Sequence, residues 1–95
     1  MVTELARFFI THGQEEDFVA AYQAARTYLE NAEGYRGHHM HRVAESPSDF
    51  VLIVSWDSLD AHVKGFRESE AYVEWRRLIG PYFSASPEVV HLNQI

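Results

Sequence analysis

The sequence predicts an α+β fold in which six elements follow one another in the order β-α-β-β-α-β. Three observations carry this prediction. Apolar side chains alternate along residues 3–11, later segments show apolar stripes at helical spacing, and an apolar run ends in Trp56 directly before a capped helix. The order is typical of the split βαβ, ferredoxin-like arrangement, a four-stranded antiparallel sheet with its helices on one face.

The first half of the chain predicts one strand and one long helix. Alternating side chains over residues 3–11 indicate a strand that is covered on both faces. One set is Leu5, Arg7 and Phe9, and the other is Ala6, Phe8 and Ile10. Gly13 precedes a helix that ends near residues 31–34 and whose first turn, residues 14–17, carries acidic side chains that suit the helix dipole. Its apolar stripe is Phe18, Ala21, Tyr22, Ala25, Tyr28 and Leu29.

A β-hairpin is expected in the middle of the chain. Residues 35–44 predict the second strand, residues 46–49 the hairpin turn, and residues 50–56 the third strand. This third strand passes directly into a helix for which Ser58 is the expected N-cap. The inward face of that helix is expected to consist of Leu59, His62, Val63 and Phe66.

The last third of the chain predicts a second helix and a final strand. Gly65 is expected to interrupt the first helix of the pair, and Ser69 to cap a second one over residues 70–79. Gly80 and Pro81 then end that helix. Its inward stripe is Tyr72, Trp75, Leu78 and Ile79. After a loop at residues 84–87, residues 88–93 predict the fourth strand.

Length and composition predict a single domain over residues 1–95 that is stabilised by a partner. An aromatic fraction of 14% and a hydrophobic fraction of 46% exclude a disordered chain. If the helices cover one face of the sheet, apolar side chains on the other face would stay exposed. We therefore expect a homodimer that packs through this other face.

Charge and residue usage exclude several classes of function. The formal net charge is -6, and the eight Lys and Arg residues are scattered apart from Arg76 and Arg77, so we expect no nucleic-acid partner. The chain has no cysteine, which excludes disulfides, thiolate nucleophiles and zinc ribbons. It has neither a signal peptide nor an apolar run near the length of a membrane span. We therefore expect a cytoplasmic protein with no membrane partner.

Several segments resemble one family over nearly the whole chain. They are Gly34-Tyr35, residues 45–50, residues 54–62, residues 65–67 with 69–72, and residues 81–83 with 87–91. In these segments the chain resembles the antibiotic biosynthesis monooxygenase family of the dimeric α+β barrel superfamily. The resemblance implies a homodimer whose two sheets form a barrel, with a pocket in each subunit between sheet and helices.

The resemblance implies more than one activity. Some members oxygenate polycyclic phenols to quinones with neither metal nor flavin, and others degrade haem. The haem-degrading members have a His iron ligand on the second part of the helix pair, an Asn in the first strand and a Trp near the helix break. The corresponding positions here hold Arg76, Ala6 and Phe66. Haem degradation is therefore the less expected activity, and we expect no cofactor.

His62 is the first candidate for a catalytic base. Desolvation on the inward stripe would keep its imidazole neutral, as proton abstraction from a phenol requires, although a buried histidine bonded to a backbone carbonyl is the structural alternative. His38 is the second candidate, because it points to the opposite side of its strand from His39 and His41. The latter pair has the geometry of two metal ligands, but no third ligand of suitable spacing accompanies it. We therefore expect no metal site.

Four aromatic side chains and one arginine are candidates for the wall of a substrate slot. They are Trp56, Phe66, Tyr72, Trp75 and Arg76. Aromatic stripes also fill ordinary cores, and an arginine near a helix end also complements the helix dipole. The first hypothesis is a cofactor-independent monooxygenase that acts on a small phenolic or quinol-like aromatic. The alternatives are a non-catalytic dimeric module that binds a small apolar ligand and, less expected, an isomerase.

Overall fold

Four antiparallel strands and two helices form the fold in the predicted order. The computed structural model describes all 95 residues. The strands are β1 (Val2–Phe9), β2 (Tyr35–Val43), β3 (Ser46–Trp56) and β4 (Glu88–Leu92), and the helices are α1 (Glu15–Glu30) and α2 (Glu70–Ile79). The strands lie in the order β2-β3-β1-β4, and every neighbouring pair is antiparallel. The predicted ferredoxin-like α+β fold is confirmed. Neither helix has the length and apolar composition that crossing a membrane requires.

One face of the sheet is buried under the helices. Buried and half-buried side chains alternate along β1, and the antiparallel register sets its buried side chains beside those of β3. The buried side chains of this face are Val2, Glu4, Ala6, Phe8, Phe50, Leu52, Val54 and Trp56. The helices cover them with Phe18, Tyr22, Ala25, Leu29, Trp75 and Ile79. The core therefore lies between one sheet face and two helices that also pack against each other.

The opposite face of the sheet, called the open face below, is covered by no element of the chain. Its apolar side chains are Leu5, Phe9, Val51, Ile53, Val90 and Leu92. Val90 is 52% exposed and Leu92 is 46% exposed. An ion pair joins β1 to β3 on this face, with 2.7 Å between Arg7 Nη2 and Asp49 Oδ2. The expected apolar side chains thus lie on this face, where Val90 and Leu92 are exposed and the other four are half-buried.

The loop after α1 contacts the start of the helix pair very closely at Gly34. Its φ angle is +84°, and a Cβ atom at this position would lie 2.7 Å from the Cβ of Ala61. Its carbonyl accepts a hydrogen bond from the backbone N–H of Asp57 at 2.8 Å. Only glycine combines this backbone conformation with so short an approach. The contact places the end of β3 against the end of α1.

A π-helical segment, Ala61–Phe66, connects β3 to α2. Ser58 Oγ accepts a hydrogen bond from the first backbone amide of this segment at 3.1 Å, so its predicted capping role is confirmed. The wider π turn directs His62 and Phe66 into the core. Leu59 precedes the segment and is 48% exposed, so the prediction that Leu59 faces inward is wrong.

α2 begins at the predicted cap. Ser69 Oγ accepts a hydrogen bond from the Tyr72 N–H at 3.2 Å and donates one to the Phe66 carbonyl at 2.6 Å. The helical pair is broken at residues 67–69 and not at Gly65, because the π-helical segment continues through Gly65. A short 3₁₀ turn, Gly80–Tyr82, ends the helix as its Pro predicts.

The hairpin turn begins two residues earlier than predicted and is two residues shorter. Residues 44–45 form it, and residues 46–49 already belong to β3. Val43 pairs with Ser46, and Asp49 pairs with Phe9 of β1. Pro47 is tolerated in the strand because it is exposed and adjoins the turn, where its missing N–H costs little of the ladder.

Candidate active site

A small cavity lies between the sheet and the helical layer. Its volume is about 40 Å³, and most of its lining is apolar. The lining includes Glu4, Ala6 and Val89 from the sheet, and His62, Phe66, Arg67, Tyr72, Trp75 and Arg76 from the helical side. Glu4 and His62 are the two buried polar side chains of the whole chain, and both line this cavity. Buried ionisable groups at an apolar cavity make it the candidate active site.

His62 lies with its ring against Trp56. Its side chain is only 3% exposed, and the two rings stack at an interplanar angle of 19° with centroids 5.1 Å apart. Its Nδ1 lies 2.8 Å from Nε2 of His91, and its Nε2 lies 3.3 Å from Oε1 of Glu4. Burial, and then the charge of Arg67 and the nearby His91, lower the pKa of His62 to about 4. The imidazole is therefore uncharged at neutral pH.

The carboxyl group of Glu4 is buried on the helix side of β1. The indole N–H of Trp56 donates a hydrogen bond to its Oε1 at 3.0 Å. Burial raises the pKa of Glu4 and outweighs this hydrogen bond and the charge of Arg67, which both lower it. An ion pair between the two groups would instead lower the pKa of Glu4 and raise the pKa of His62. The two therefore meet as an uncharged imidazole beside a carboxyl of raised proton affinity, a pair suited to proton transfer.

Four of the five predicted wall residues line the cavity. Phe66 and Trp75 are buried and form fixed walls. Tyr72 is half-buried and Arg76 is exposed, and Nη1 of Arg76 donates a hydrogen bond to the Tyr72 hydroxyl at 3.2 Å. This pair forms the part of the wall nearest to solvent. Trp56 lies behind His62 and does not line the cavity, but it contacts both ionisable groups of the site by stacking on His62 and donating a hydrogen bond to Glu4.

His38, the second predicted base, lies outside this cavity. It faces the helices from β2, opposite Val54. Its two ring nitrogens lie 2.6 Å from the hydroxyls of Tyr22 and Tyr35. Burial, followed by the charge of Arg26, lowers the pKa of His38. Tyrosine hydroxyls thus engage both nitrogens of His38, and of the two predicted bases only His62 lines the cavity.

His39 and His41 lie on the open face, as the alternation along the strand predicts. Their ring centroids are 6.2 Å apart. No group of three or more His, Cys, Asp or Glu side chains in the chain is arranged to hold a metal ion.

The positions that the resemblance compares with haem-degrading relatives all line the cavity. They are Ala6, Phe66 and Arg76. They bring a methyl group, a phenyl ring and a guanidinium, none of which supplies the imidazole that the resemblance implies for haem iron. These residues do not fit a haem site.

Sequence reasoning missed Glu4, His91 and Arg67. Glu4 is the one charged residue among the buried side chains of β1, and a carboxylate within that apolar set was a usable signal. His91 lies opposite Glu4 in the register of β4 against β1. Its proximity to Glu4 depends on the strand order, which brings the two ends of the chain together. Arg67 gives no signal, because its place depends on the length of the π-helical segment.

The model of the antibiotic biosynthesis monooxygenase family matches residues 1–78, which is most of the chain. The chain therefore belongs to this family, in agreement with the resemblance seen in its segments.

Relatives and solved structures support this assignment. The Bacillus subtilis (strain 168) protein YczJ is 32% identical to the chain over 95 residues, which covers all of both proteins. A solved Bordetella bronchiseptica structure that carries the family's name is 35% identical, with a TM-score of 0.95, over 99% of this chain and 96% of the other. SnoaB, a cofactor-independent oxygenase from Streptomyces nogalater, gives a TM-score of 0.82 at 17% identity over 98% and 91% of the two chains. At that identity the likeness to SnoaB shows the fold alone.

Proposed function

We propose that the protein is a cofactor-independent monooxygenase that converts a small phenol or quinol to a quinone. The observation that carries the proposal is the buried pair of Glu4 and His62 at an apolar cavity. Such a pair can take a proton from a hydroxyl group while the apolar walls exclude water. Membership of the family supports the type of reaction.

Deprotonation is the step in which the protein's own side chains act. Removal of the hydroxyl proton leaves a phenolate that can transfer one electron to O₂. The two radicals then combine with formation of a C–O bond, and the hydroperoxide loses water to leave a quinone. One oxygen atom enters the ring, and the other leaves as water with the hydroxyl proton and the displaced ring hydrogen. The substrate supplies all of the electrons, so the reaction needs no external reductant.

The size of the cavity favours a substrate with a single ring. The volume of about 40 Å³ is that of a site for water, whereas a cavity of about 150 Å³ is known to hold benzene. The exposed Arg76 and the half-buried Tyr72 can turn outward and enlarge the cavity, while Phe66 and Trp75 are held in the core. Because Arg76 lines the cavity, its charge would lie near the oxygen of a bound phenolate. A polycyclic substrate would require the core residues to move as well.

We further propose that the protein acts as a homodimer formed through the open face. The exposed Val90 and Leu92 lie next to Leu5 and Ile53 and make this face apolar at its centre. A patch of this kind is rarely left in water. The interface should be of the obligate type, roughly 2,000 Å² or more in total.

Oxygen uptake with a panel of single-ring phenols and quinols tests the catalytic proposal. The wild-type protein should consume O₂ with one of them above the rate of uncatalysed oxidation and release a quinone that absorbs light. His62→Phe keeps a ring against Trp56 but removes both nitrogens, and it should lower turnover by roughly 10²-fold or more. His12→Gln, at a side chain that is 98% exposed, is the matched control. Unchanged turnover in His62→Phe would refute a role for the pair.

A non-catalytic module that binds a small apolar ligand is the alternative function, and the mostly apolar lining of the cavity favours it. Calorimetry with the same phenols separates the two functions. Saturable binding without any oxygen uptake would establish the binding module and overturn the monooxygenase.

A further inference from the structure

Glu4, His62 and His91 form a continuous line of ionisable groups. Glu4 and His91 are register partners on β1 and β4, so both side chains point to the helix side of the sheet. His62 lies above them from the π-helical segment. Its Nδ1 lies 2.8 Å from Nε2 of His91, and its Nε2 lies 3.3 Å from Oε1 of Glu4. The second distance is slightly beyond the usual hydrogen-bond range, and a small rotation of either side chain closes it.

The two ends of this line meet different surroundings. At the inner end, Glu4 lines the cavity, and no protein group donates a hydrogen bond to its Oε2. At the outer end, the half-buried His91 lines a separate depression of about 260 Å³ at the surface, beside Asp57 and Ser58. The line therefore connects the cavity with solvent.

We propose that Glu4, His62 and His91 are a proton relay, in which Glu4 is the group that accepts the substrate's proton and His91 is the group that exchanges protons with solvent. The role of Glu4 toward a substrate rests on the proposed function, whereas the relay itself does not. Both ring nitrogens of His62 are directed at protein neighbours, which leaves Oε2 of Glu4 as the free acceptor at the cavity. His62 and His91 would set the ionisation of Glu4 before a substrate binds.

The relay has two states that differ by one proton. When Glu4 is ionised, it accepts a hydrogen bond from Nε2–H of His62, and Nδ1 of His62 accepts one from Nε2–H of His91. When a proton arrives from solvent at Nδ1 of His91, the Nε2 proton of His91 moves to Nδ1 of His62. The Nε2 proton of His62 then moves to Glu4. The final state holds a neutral carboxylic acid and two neutral imidazoles, each protonated at Nδ1.

The charges around the line favour this exchange between neutral imidazoles. Burial lowers the pKa of both His62 and His91, and Arg67 of the helix connection lowers each further. Arg76 lines the cavity from α2, and Asp57 lines the outer depression. A proton is therefore passed along the line without being held on either ring.

Nitrogen-15 NMR of the imidazole rings in the full chain, without substrate, tests the relay. As the pH rises through the raised pKa of Glu4, His62 and His91 should switch together from Nδ1–H to Nε2–H. Glu4→Gln should keep both rings as Nε2–H over the same pH range, because its amide oxygen accepts from the Trp56 indole and from Nε2–H of His62 but takes up no proton. The relay is overturned if His62 keeps one tautomer throughout in the wild-type protein, or if the switch persists in Glu4→Gln.

Oxygen uptake separates the failure of the relay from the failure of the proposed function. If a phenol is oxidised, His91→Phe should lower the rate at least about 10-fold and shift its pH profile, while His12→Gln should change neither. Coupled tautomers in a protein that oxidises no phenol would support the relay and sink the proposed function. Turnover without the coupled switch, or a His91→Phe variant with the wild-type rate and pH profile, would sink the relay and leave the monooxygenase standing.

Discussion

Lowering the pH from 7 to 4 should destabilise the protein through His62. Its pKa falls from 6.5 to about 4 on folding, so in this range the unfolded chain binds a proton that the folded protein excludes. The stabilising contribution is fully present above pH 6.5 and is lost as the pH falls toward 4. With about 1.4 kcal/mol for each pH unit, the loss by pH 4 is about 3 kcal/mol. A loss of this size is large beside a total stability of about 5–15 kcal/mol.

Glu4 contributes with the opposite sign and must be removed from the comparison. Burial raises its pKa above the ordinary value of 4.5, so its contribution is present below pH 4.5 and is lost as the pH rises through the raised pKa. Glu4→Gln has no titrating carboxyl. The pH dependence that remains in this background comes from His62 and, with the same sign, from His38 and His91, whose pKa values burial also lowers, and from Glu15, whose pKa its hydrogen bond with Ser48 lowers.

Urea unfolding at one fixed protein concentration provides the assay. In the Glu4→Gln background, His62 should account for a fall of about 3 kcal/mol in the free energy of unfolding between pH 7 and pH 4, which corresponds to about 1–3 M in the urea midpoint. Adding His62→Phe should make the fall smaller by about this amount. Adding His12→Gln instead, a control at a side chain that is 98% exposed, should leave the contribution of His62 in place. An equal fall with and without His62 would refute the conclusion that the folded protein holds it uncharged.

Three further predictions concern the contacts that support the site and the open face. Trp56→Phe removes the indole donor to the buried Glu4 carboxyl and should lower the free energy of unfolding by about 2 kcal/mol, which lowers the melting temperature by about 10 °C. An unchanged melting temperature would argue against that hydrogen bond. Ser69→Ala removes the N-cap of α2 and should lower the free energy of unfolding in urea by about 1 kcal/mol, most of which Ser69→Asp should restore. Equal stability of the wild-type protein and both variants would show that the cap is not formed. Ile53→Asp on the open face should convert the proposed dimer to a monomer in sedimentation, and circular dichroism should show that this monomer is folded. A wild-type protein that sediments as a monomer at micromolar concentration would contradict the proposed dimer.

Local rules account for the elements that the sequence predicted correctly. Alternation identified the strands, and the side chains of Ser58 and Ser69 identified where helical structure begins, because a cap depends on residues only two or three positions away. The errors occurred where the backbone leaves these regular periods. Because the π-helical segment has a wider turn than an α-helix, its inward side chains do not follow the α-helical spacing, and Leu59 is exposed. The pairing of Asp49 with Phe9 extended β3 back to Ser46, so that the turn moved to residues 44–45.

The candidate site was likewise predicted in part, where local spacing decides the direction of a side chain. Helical spacing placed His62, Phe66 and Trp75 on inward faces, and the structure brings all three to one cavity. His38 satisfied the same kind of local rule, yet it is held by two tyrosine hydroxyls away from that cavity. Alternation along a strand assigns a side chain to a face, but it does not say which part of the face lies under the cavity.

By itself, the sequence determined the α+β class, the order of the elements, the inward position of His62 and membership of a family, since each depends on periodicity, capping or local motifs. Only the tertiary structure decided that Glu4, near the start of the chain, and His91, near its end, meet on either side of His62. That meeting follows from the antiparallel pairing of β1 with β4 and from the π turn above them. Contacts between residues so far apart in the chain follow from strand order and packing, which no local pattern records.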